Sequence, residues 1–176
     1  MIYNNKLSVV PITTHIQLKY VNKNISKSLI EKKIKTLDKS YKKIFNKKPI
    51  IGVIGLNPHN FEGRKNSEEI KIIVPVINKL KMQKYKVYGP YPADTIFYNR
   101  KRFKLDVIVG MYHDQVLAPF KALFGYEAIN VTLGLDYVRV SPDHGTGKDI
   151  IGKNKADPNS LIMCIKFMNN LKNDKT

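Results

Sequence analysis

Four histidines stand out because each comes just after a run of residues that reads as a β-strand. His15 follows Leu7 to Thr14, His59 closes Leu56-Asn57-Pro58-His59, His113 follows Leu105 to Met111, and His144 follows Tyr137 to Val140. Open α/β sheets bind their ligands outside the carboxyl ends of the strands, and neutral imidazole is a common ligand for zinc and related divalent ions. The first three histidines are separated by 44 and 54 residues. That spacing excludes a metal motif carried on one helix, so only the tertiary fold or a subunit interface could unite them. The alternative is that they are ordinary loop histidines.

Other side chains could share such a site. Asp114, directly after His113, can orient the imidazole or join its metal, or it can simply cap the following helix. Lys121, Asn130 and Arg139 sit in apolar or turn surroundings, where two cations and an amide could receive a phosphorylated or carboxylated ligand. Each is equally readable as a surface residue. Asp143-His144-Gly145-Thr146-Gly147 has the look of an anion-cradling turn into a helix. Neither a G-x-G-x-x-G fingerprint nor a Walker loop occurs, which leaves a standard dinucleotide or P-loop fold unsupported.

The elements that must position these groups alternate between strand and helix. Leu7 to Thr14 reads as a strand, with a sheet edge or a bulge at Pro11, which lacks an N–H. Ile30, Ile34, Leu37, Tyr41 and Ile44 recur at helical spacing behind Ser26 or Ser28 as N-cap. Ile50 to Leu56 and Leu105 to Met111 are unbroken apolar runs, as in strands covered on both faces. A turn-rich segment spans Asn57 to Asn66, and Ser67-Glu68-Glu69 opens a helix to about Gln83, kinked at Pro75. A short strand at Lys86-Val87-Tyr88 precedes an irregular loop, Gly89-Pro90-Tyr91-Pro92. Ala128 to Leu133 and Tyr137 to Val140 read as strands, and Asn159 to Leu171 as a helix with Leu161, Ile162, Ile165 and Met168 on one face. This alternation predicts a layered α/β architecture, a largely parallel sheet with helices on both faces.

The chain has 176 residues and carries +17, from 31 Lys+Arg against 14 Asp+Glu. Eleven lysines lie between Lys19 and Lys48, which raises a basic nucleic-acid-binding module as an alternative. Yet the excess is 27 Lys to 4 Arg, beside 16 Asn, 21 Ile and only 5 Ala, the residues of AT-rich codons. A surface built to grip phosphate would use the planar fork of Arg, and no basic stripe interleaved with exposed aromatics is present. Nucleic acid is therefore not the expected partner. One cysteine, Cys164, excludes an intramolecular disulfide and fits a reducing cytoplasm. No apolar run approaches a membrane span and no signal peptide opens the chain.

Six motifs carry a resemblance. Thr14-His15, Gly55-Leu56-Asn57-Pro58-His59, Pro92-Ala93-Asp94-Thr95, Met111-Tyr112-His113-Asp114-Gln115, Asn130-Val131-Thr132-Leu133-Gly134-Leu135 and Asp143-His144-Gly145-Thr146 occur in the order and spacing of the 4-hydroxythreonine-4-phosphate dehydrogenase family. The resemblance covers essentially the whole sequence and corresponds to the C-terminal half of a two-lobed dehydrogenase. About residues 1–125 would form the second, dimerising lobe, and about 126–176 would return towards the first lobe. It implies NAD(P)-dependent oxidation of a phosphorylated amino-acid alcohol, 4-phosphooxy-L-threonine, and decarboxylation to 3-amino-2-oxopropyl phosphate during pyridoxine phosphate biosynthesis. Implied with it are a divalent metal (Zn, Mg or Co) on His15, His59 and His113, substrate binding by Lys121, Asn130 and Arg139, and a homodimer. Asn57, Glu62, Asp143 and His144 are the expected cofactor contacts. The family's N-terminal half is absent from this sequence, so the catalytic unit is expected to need it, for instance from a separate gene. Another metal-dependent decarboxylating hydroxyacid dehydrogenase is the remaining alternative. One departure touches the cofactor loop. Where the family has glycines, this sequence reads Asn60-Phe61-Glu62-Gly63-Arg64-Lys65, placing Phe61 where Gly would turn freely.

Overall fold

In the two central strands, residues with no solvent exposure alternate between faces. Ile51, Val53, Val107 and Val109 meet one hydrophobic cluster, Ile54 and Ile108 the other. A strand buried on both sides needs a helical layer on each, and the chain supplies them. The computed structural model describes residues 1–173.

Its seven strands are β1 (Ile2–Asn4), β2 (Leu7–Pro11), β3 (Ile51–Ile54), β4 (Val87–Tyr91), β5 (Val107–Gly110), β6 (Ile129–Thr132) and β7 (Arg139–Pro142), arranged in the order β4-β3-β5-β2-β1-β6-β7. The first four in that order are mutually parallel, while β1 opposes both β2 and β6, and β7 opposes β6. Five of the seven strands therefore share one direction, and their carboxyl ends lie along one edge. The helices are α1 (Val21–Asn24), α2 (Lys27–Phe45), α3 (Val74–Met82), α4 (Ala93–Asn99), α5 (His113–Phe124) and α6 (Asn159–Asn173). α2 and α3 cover one face of the parallel strands, α4 and α5 the other.

α2 begins where Ser26 Oγ accepts the Leu29 N–H at 3.2 Å, and it stops at Asn46 in the left-handed region. Ile30, Ile34 and Leu37 are wholly buried along its inner face, each contributing about 1.5–3 kcal/mol of transfer free energy.

Four local expectations change. β2 lies inside the sheet between β5 and β1, not at an edge, with Pro11 falling beyond the residues paired to β1, and it ends at Pro11 rather than Thr14, because Ile12 and Thr13 turn towards the β5 loop, bonding Gly110 O and Met111 O. The helix expected from Ser67 opens with a π turn, Glu69–Ile73, and α3 starts afresh with Pro75 in its first turn. A prolyl ring has no N–H and crowds the carbonyl four residues back, so the widened turn ahead of it accommodates both. β4 runs through Gly89-Pro90 instead of breaking there. It is an edge strand, so Pro90 forfeits no ladder bond, and a side chain at Gly89 would place its Cβ 2.2 Å from Val53 O. On α6, the face made by Leu161, Ile162 and Ile165 points outward, 40–55% exposed. The sheet side is taken by Ser160, Cys164 and Phe167 against Ile129 and Val131. Unexpected from sequence are β1, whose tight turn rests on Lys6 N–H donating to Asn4 Oδ1 at 2.9 Å, and α1 and α4.

Candidate functional site

The loops leaving the parallel strands are fastened to one another. Thr13 donates its Oγ1 hydrogen to Met111 O at 2.7 Å, tying the segment that leads to His15 onto the segment that leads to His113. Gln115 accepts from Met111 N–H at 2.7 Å and donates to Gly55 O at 2.8 Å, tying that loop in turn to the one bearing His59. The rings of His15 and His113 consequently lie 5.5 Å apart, centroid to centroid. His113 Nδ1 stands 2.7 Å from Asp114 Oδ1, which leaves Nε2 as the free ring nitrogen.

A cleft of about 530 Å³ opens beside this pair, lined among others by Thr14, His15, Lys33, His113, Asn130 and Asp143. Asn130 reaches it from β6. Lys121 stands behind Asp143 and is not part of the wall. Its ammonium is 2.6 Å from both the carbonyl and the carboxylate Oδ2 of Asp143, and only the carbonyl geometry makes a hydrogen bond, the carboxylate adding charge. Arg139 points along the sheet edge, Nη1 donating to Thr132 Oγ1 at 2.9 Å.

His59 is placed differently. His59, Asn60, Phe61 and Glu62 all have φ between 49 and 55°, a left-handed turn made without glycine. His59 Nδ1 is 3.9 Å from Asp94 Oδ2, and neither residue lines the cleft. Among the described residues no three His, Cys, Asp or Glu side chains form a metal-sized cluster. His15 and His113 therefore stand as a pair of imidazoles on the cleft, and His59 lies apart from them.

The remaining sequence-derived residues also have definite positions. Asn57 gives its side-chain amide to Glu68 and Glu69 at 2.8 and 3.1 Å, serving as a loop anchor. Glu62 is exposed, 3.5 Å from Arg64. His144 follows β7, which runs against the parallel strands, and it lines a separate cavity of about 600 Å³ with Tyr126, Thr146 and Asp157. His144 is therefore set apart from the strand ends that precede His15, His59 and His113.

Sequence reading missed Glu69, Gln115 and Lys33. Glu69 is 1% exposed and accepts the N–H groups of Leu56 and Asn57, each at 2.8 Å. Burial pushes its carboxyl up, but the bonds from Asn57 and Leu56 outweigh burial and hold it below the ordinary value. Its support for the loop is therefore present above the usual carboxylate range and lost as pH falls through the lowered value. The motif Asp114-Gln115 after His113 was a signal for Gln115, whereas Lys33 had none among so many lysines.

Such loops at the carboxyl ends of parallel strands, with two imidazoles and an amide on one open cleft, define a layered α/β protein with a ligand-sized site at its strand ends. The family model described as pyridoxal phosphate biosynthetic protein PdxA matches residues 1–168, and the chain belongs to that family. The chain is 44% identical over 172 residues to the 4-hydroxythreonine-4-phosphate dehydrogenase of Aquifex aeolicus (strain VF5), covering 97% of this chain and 53% of that one. A solved structure of a putative 4-hydroxythreonine-4-phosphate dehydrogenase from Salmonella typhimurium superimposes with a TM-score of 0.83 at 39% identity, over 96% of this chain and 52% of that one. A terephthalate 1,2-cis-dihydrodiol dehydrogenase from Burkholderia xenovorans LB400 also aligns, with a TM-score of 0.75 at 30% identity, over 94% and 53% of the two chains. The chain spans about half the length of the relatives it matches.

Proposed function

We propose that this chain provides the metal- and substrate-binding half of a 4-hydroxythreonine-4-phosphate dehydrogenase. The observation that carries the reading is the His15–His113 pair, 5.5 Å apart, opening onto the same cleft as Asn130. His15 and His113, with His59 recruited from its turn, would hold a Zn, Mg or Co ion, and Asp114 would orient His113. When bound, such a metal would supply Lewis-acid polarisation of the substrate's hydroxyl oxygen, and NAD or NADP would supply the hydride acceptor.

The chain's own groups do the positioning. Asn130 would offer an amide to the substrate, and Lys121, which stands behind Asp143 in this structure, and Arg139 would supply cations for its anionic ends. Asp143 and His144 would meet the cofactor; Asn57 and Glu62 would shape its loop. About residues 1–125 would act as the dimerising lobe of a homodimer, with about 126–176 facing the other lobe, supplied by the family's N-terminal half. The uncovered apolar side of α6, with Leu161 and Ile165 more than half exposed, supports that last assignment. A cytoplasmic setting is consistent with a single free thiol, Cys164. No helix among the described residues is long and apolar enough to cross a membrane.

An NADH-formation assay with 4-phosphooxy-L-threonine tests the reading, run with and without the co-expressed N-terminal half of a relative. Turnover is expected only with both halves, and full turnover by the chain alone overturns the division of labour. A second reading, oxidation of another diol or hydroxyacid, is favoured by the likeness to the dihydrodiol dehydrogenase. A higher kcat/KM for such a substrate in the same assay would select it.

A further inference from the structure

We infer that Gln115 is a positioning residue, whose amide spans the crevice between β3 and β5 and thereby sets where the His113 imidazole stands against His15. The inference rests on the functional reading above only for what the imidazole pair binds. The β3–β5 ladder ends at Val53 and Val109, and beyond it Gln115 takes over from the first turn of α5. Its Oε1 accepts the Met111 N–H at 2.7 Å and its Nε2 donates to Gly55 O at 2.8 Å. Only one orientation of the amide satisfies both, since a flipped amide would set N–H against N–H and oxygen against oxygen. The Gly55 N–H in turn reaches Tyr91 O at 3.1 Å, and Met111 O accepts from Thr13 Oγ1 at 2.7 Å. One line of hydrogen bonds therefore crosses the strand ends from β4 through β3 and β5 to β2, and Gln115 is its middle link.

What Gln115 holds is the turn that carries His113. α5 starts at His113 with Tyr112 as N-cap, and the Tyr112 side chain caps nothing. The Gln115 oxygen supplies a cap from inside the helix. It reaches back to the N–H of the residue before Tyr112, much as the third residue of a capping box reaches back to the N-cap itself. Asp114 pairs with His113 Nδ1 at 2.7 Å, but its side chain is 83% exposed. It can select the ring's tautomer, while competition with water makes it a weak anchor. Gln115 is half-buried in closed surroundings. A Cβ at Gly110 would stand 3.1 Å from its Oε1 and 2.4 Å from Val116 Cγ1, and Met111 is wholly buried. Two bonds to backbone atoms in that setting hold the His113 turn in one place, and without them a buried N–H and a buried carbonyl lose their partners.

Proton NMR of the metal-free chain, followed by zinc titration of the same samples, tests this. The original chain should show a nuclear Overhauser contact between the ring protons of His15 and His113, whose centroids are 5.5 Å apart. Gln115→Met, close in volume but without the amide, should lose that contact and weaken zinc by about tenfold or more, the usual cost of removing a group that orients a ligand. Gln115→Glu keeps an oxygen for the Met111 N–H and should keep the ring contact. Ile77→Val, a buried core change in α3 that touches no part of the cleft, should lower the melting temperature without altering either readout, which separates positioning from general loss of stability. If Gln115→Met does not fold, Gln115→Asn, whose amide is one methylene too short for both bonds, carries the same expectation. The inference falls if the original chain lacks the ring contact, if Gln115→Met or Gln115→Asn keeps it, if Gln115→Glu fares no better than Gln115→Met, or if Ile77→Val loses as much. Zinc taken equally well by the original chain and by Gln115→Met keeps the functional reading and removes this inference. A ring contact that depends on Gln115 in a chain that takes no zinc keeps the inference and removes the metal from the functional reading.

Discussion

Phe61 is held at a φ of 50°, within a run of four left-handed residues that starts at His59. A left-handed L-residue costs roughly 1–2 kcal/mol, and Asn60 is the one member whose side chain eases that conformation. Two fastenings hold the turn in place. Asn60 Nδ2 donates to Pro90 O at 3.0 Å, and Glu69 clamps the chain just upstream at Leu56 and Asn57. There is no room for a side chain at Gly55, since its Cβ would stand 2.1 Å from Asn60 Oδ1. The Phe61 ring is 41% exposed, so removing it sacrifices little packing. Phe61→Gly should accordingly raise stability by about 1 kcal/mol, the strain relieved less the added freedom of the unfolded chain. Urea denaturation of the two proteins measures it, and a loss of stability would show that the ring's contact with Arg64, 5.0 Å away, outweighs the strain.

Strands and helices with a strong apolar period were legible in the sequence. β3, β5 and α2 appear where unbroken runs and the Ile30-Ile34-Leu37 spacing put them. What stayed hidden depends on partners distant in the chain. β1 is three residues long and exists because β2 and β6 flank it. Both sides of α6 are apolar, so periodicity alone does not show which faces the sheet, where Ser160, Cys164 and Phe167 lie. Ser160 Oγ donates to Ala128 O at 2.6 Å and accepts the Asp143 N–H at 2.9 Å, with 1% exposure. That hydroxyl joins α6 to β6 and to the residue that clamps Lys121. For the candidate site, strand-end placement pointed to the histidines, of which the structure brings His15 and His113 together through the hydrogen bonds of Thr13 and Gln115. Ser160→Ala leaves a buried carbonyl and N–H without their partner, a cost of about 2 kcal/mol. Hydrogen exchange should then accelerate in β6, in the first turn of α6 and around Asp143, and leave β3 and β5 unchanged. Uniform acceleration would mean that the joint is not local.

The molecule carries its +17 on helices and loops alike, and its carboxylates are too few to answer it. Several are already committed singly, Asp38 to Lys42 at 2.6 Å and Asp106 to Lys47 at 2.6 Å, while Glu31 serves two lysines. Exposed pairs of this sort contribute little each, so the unpaired lysines dominate the long-range field as mutual repulsion. Repulsion between exposed charges is screened once the Debye length drops to about 10 Å near 0.1 M salt, whereas the two buried clusters around the parallel strands are indifferent to salt at that level. Raising sodium chloride from about 20 to 200 mM should therefore raise the melting temperature by a few degrees, in the range that about 1 kcal/mol moves a domain of this size. The same experiment bears on the basic surface as a nucleic-acid contact. A chain stabilised by chloride alone is relieving repulsion, whereas a gain that appears only with an added duplex and disappears by 200 mM salt would be phosphate binding. A melting temperature that falls as chloride rises would mean that the ion pairs outweigh the excess charge, and the +17 would then have to be distributed more favourably than its lysine-rich surface indicates.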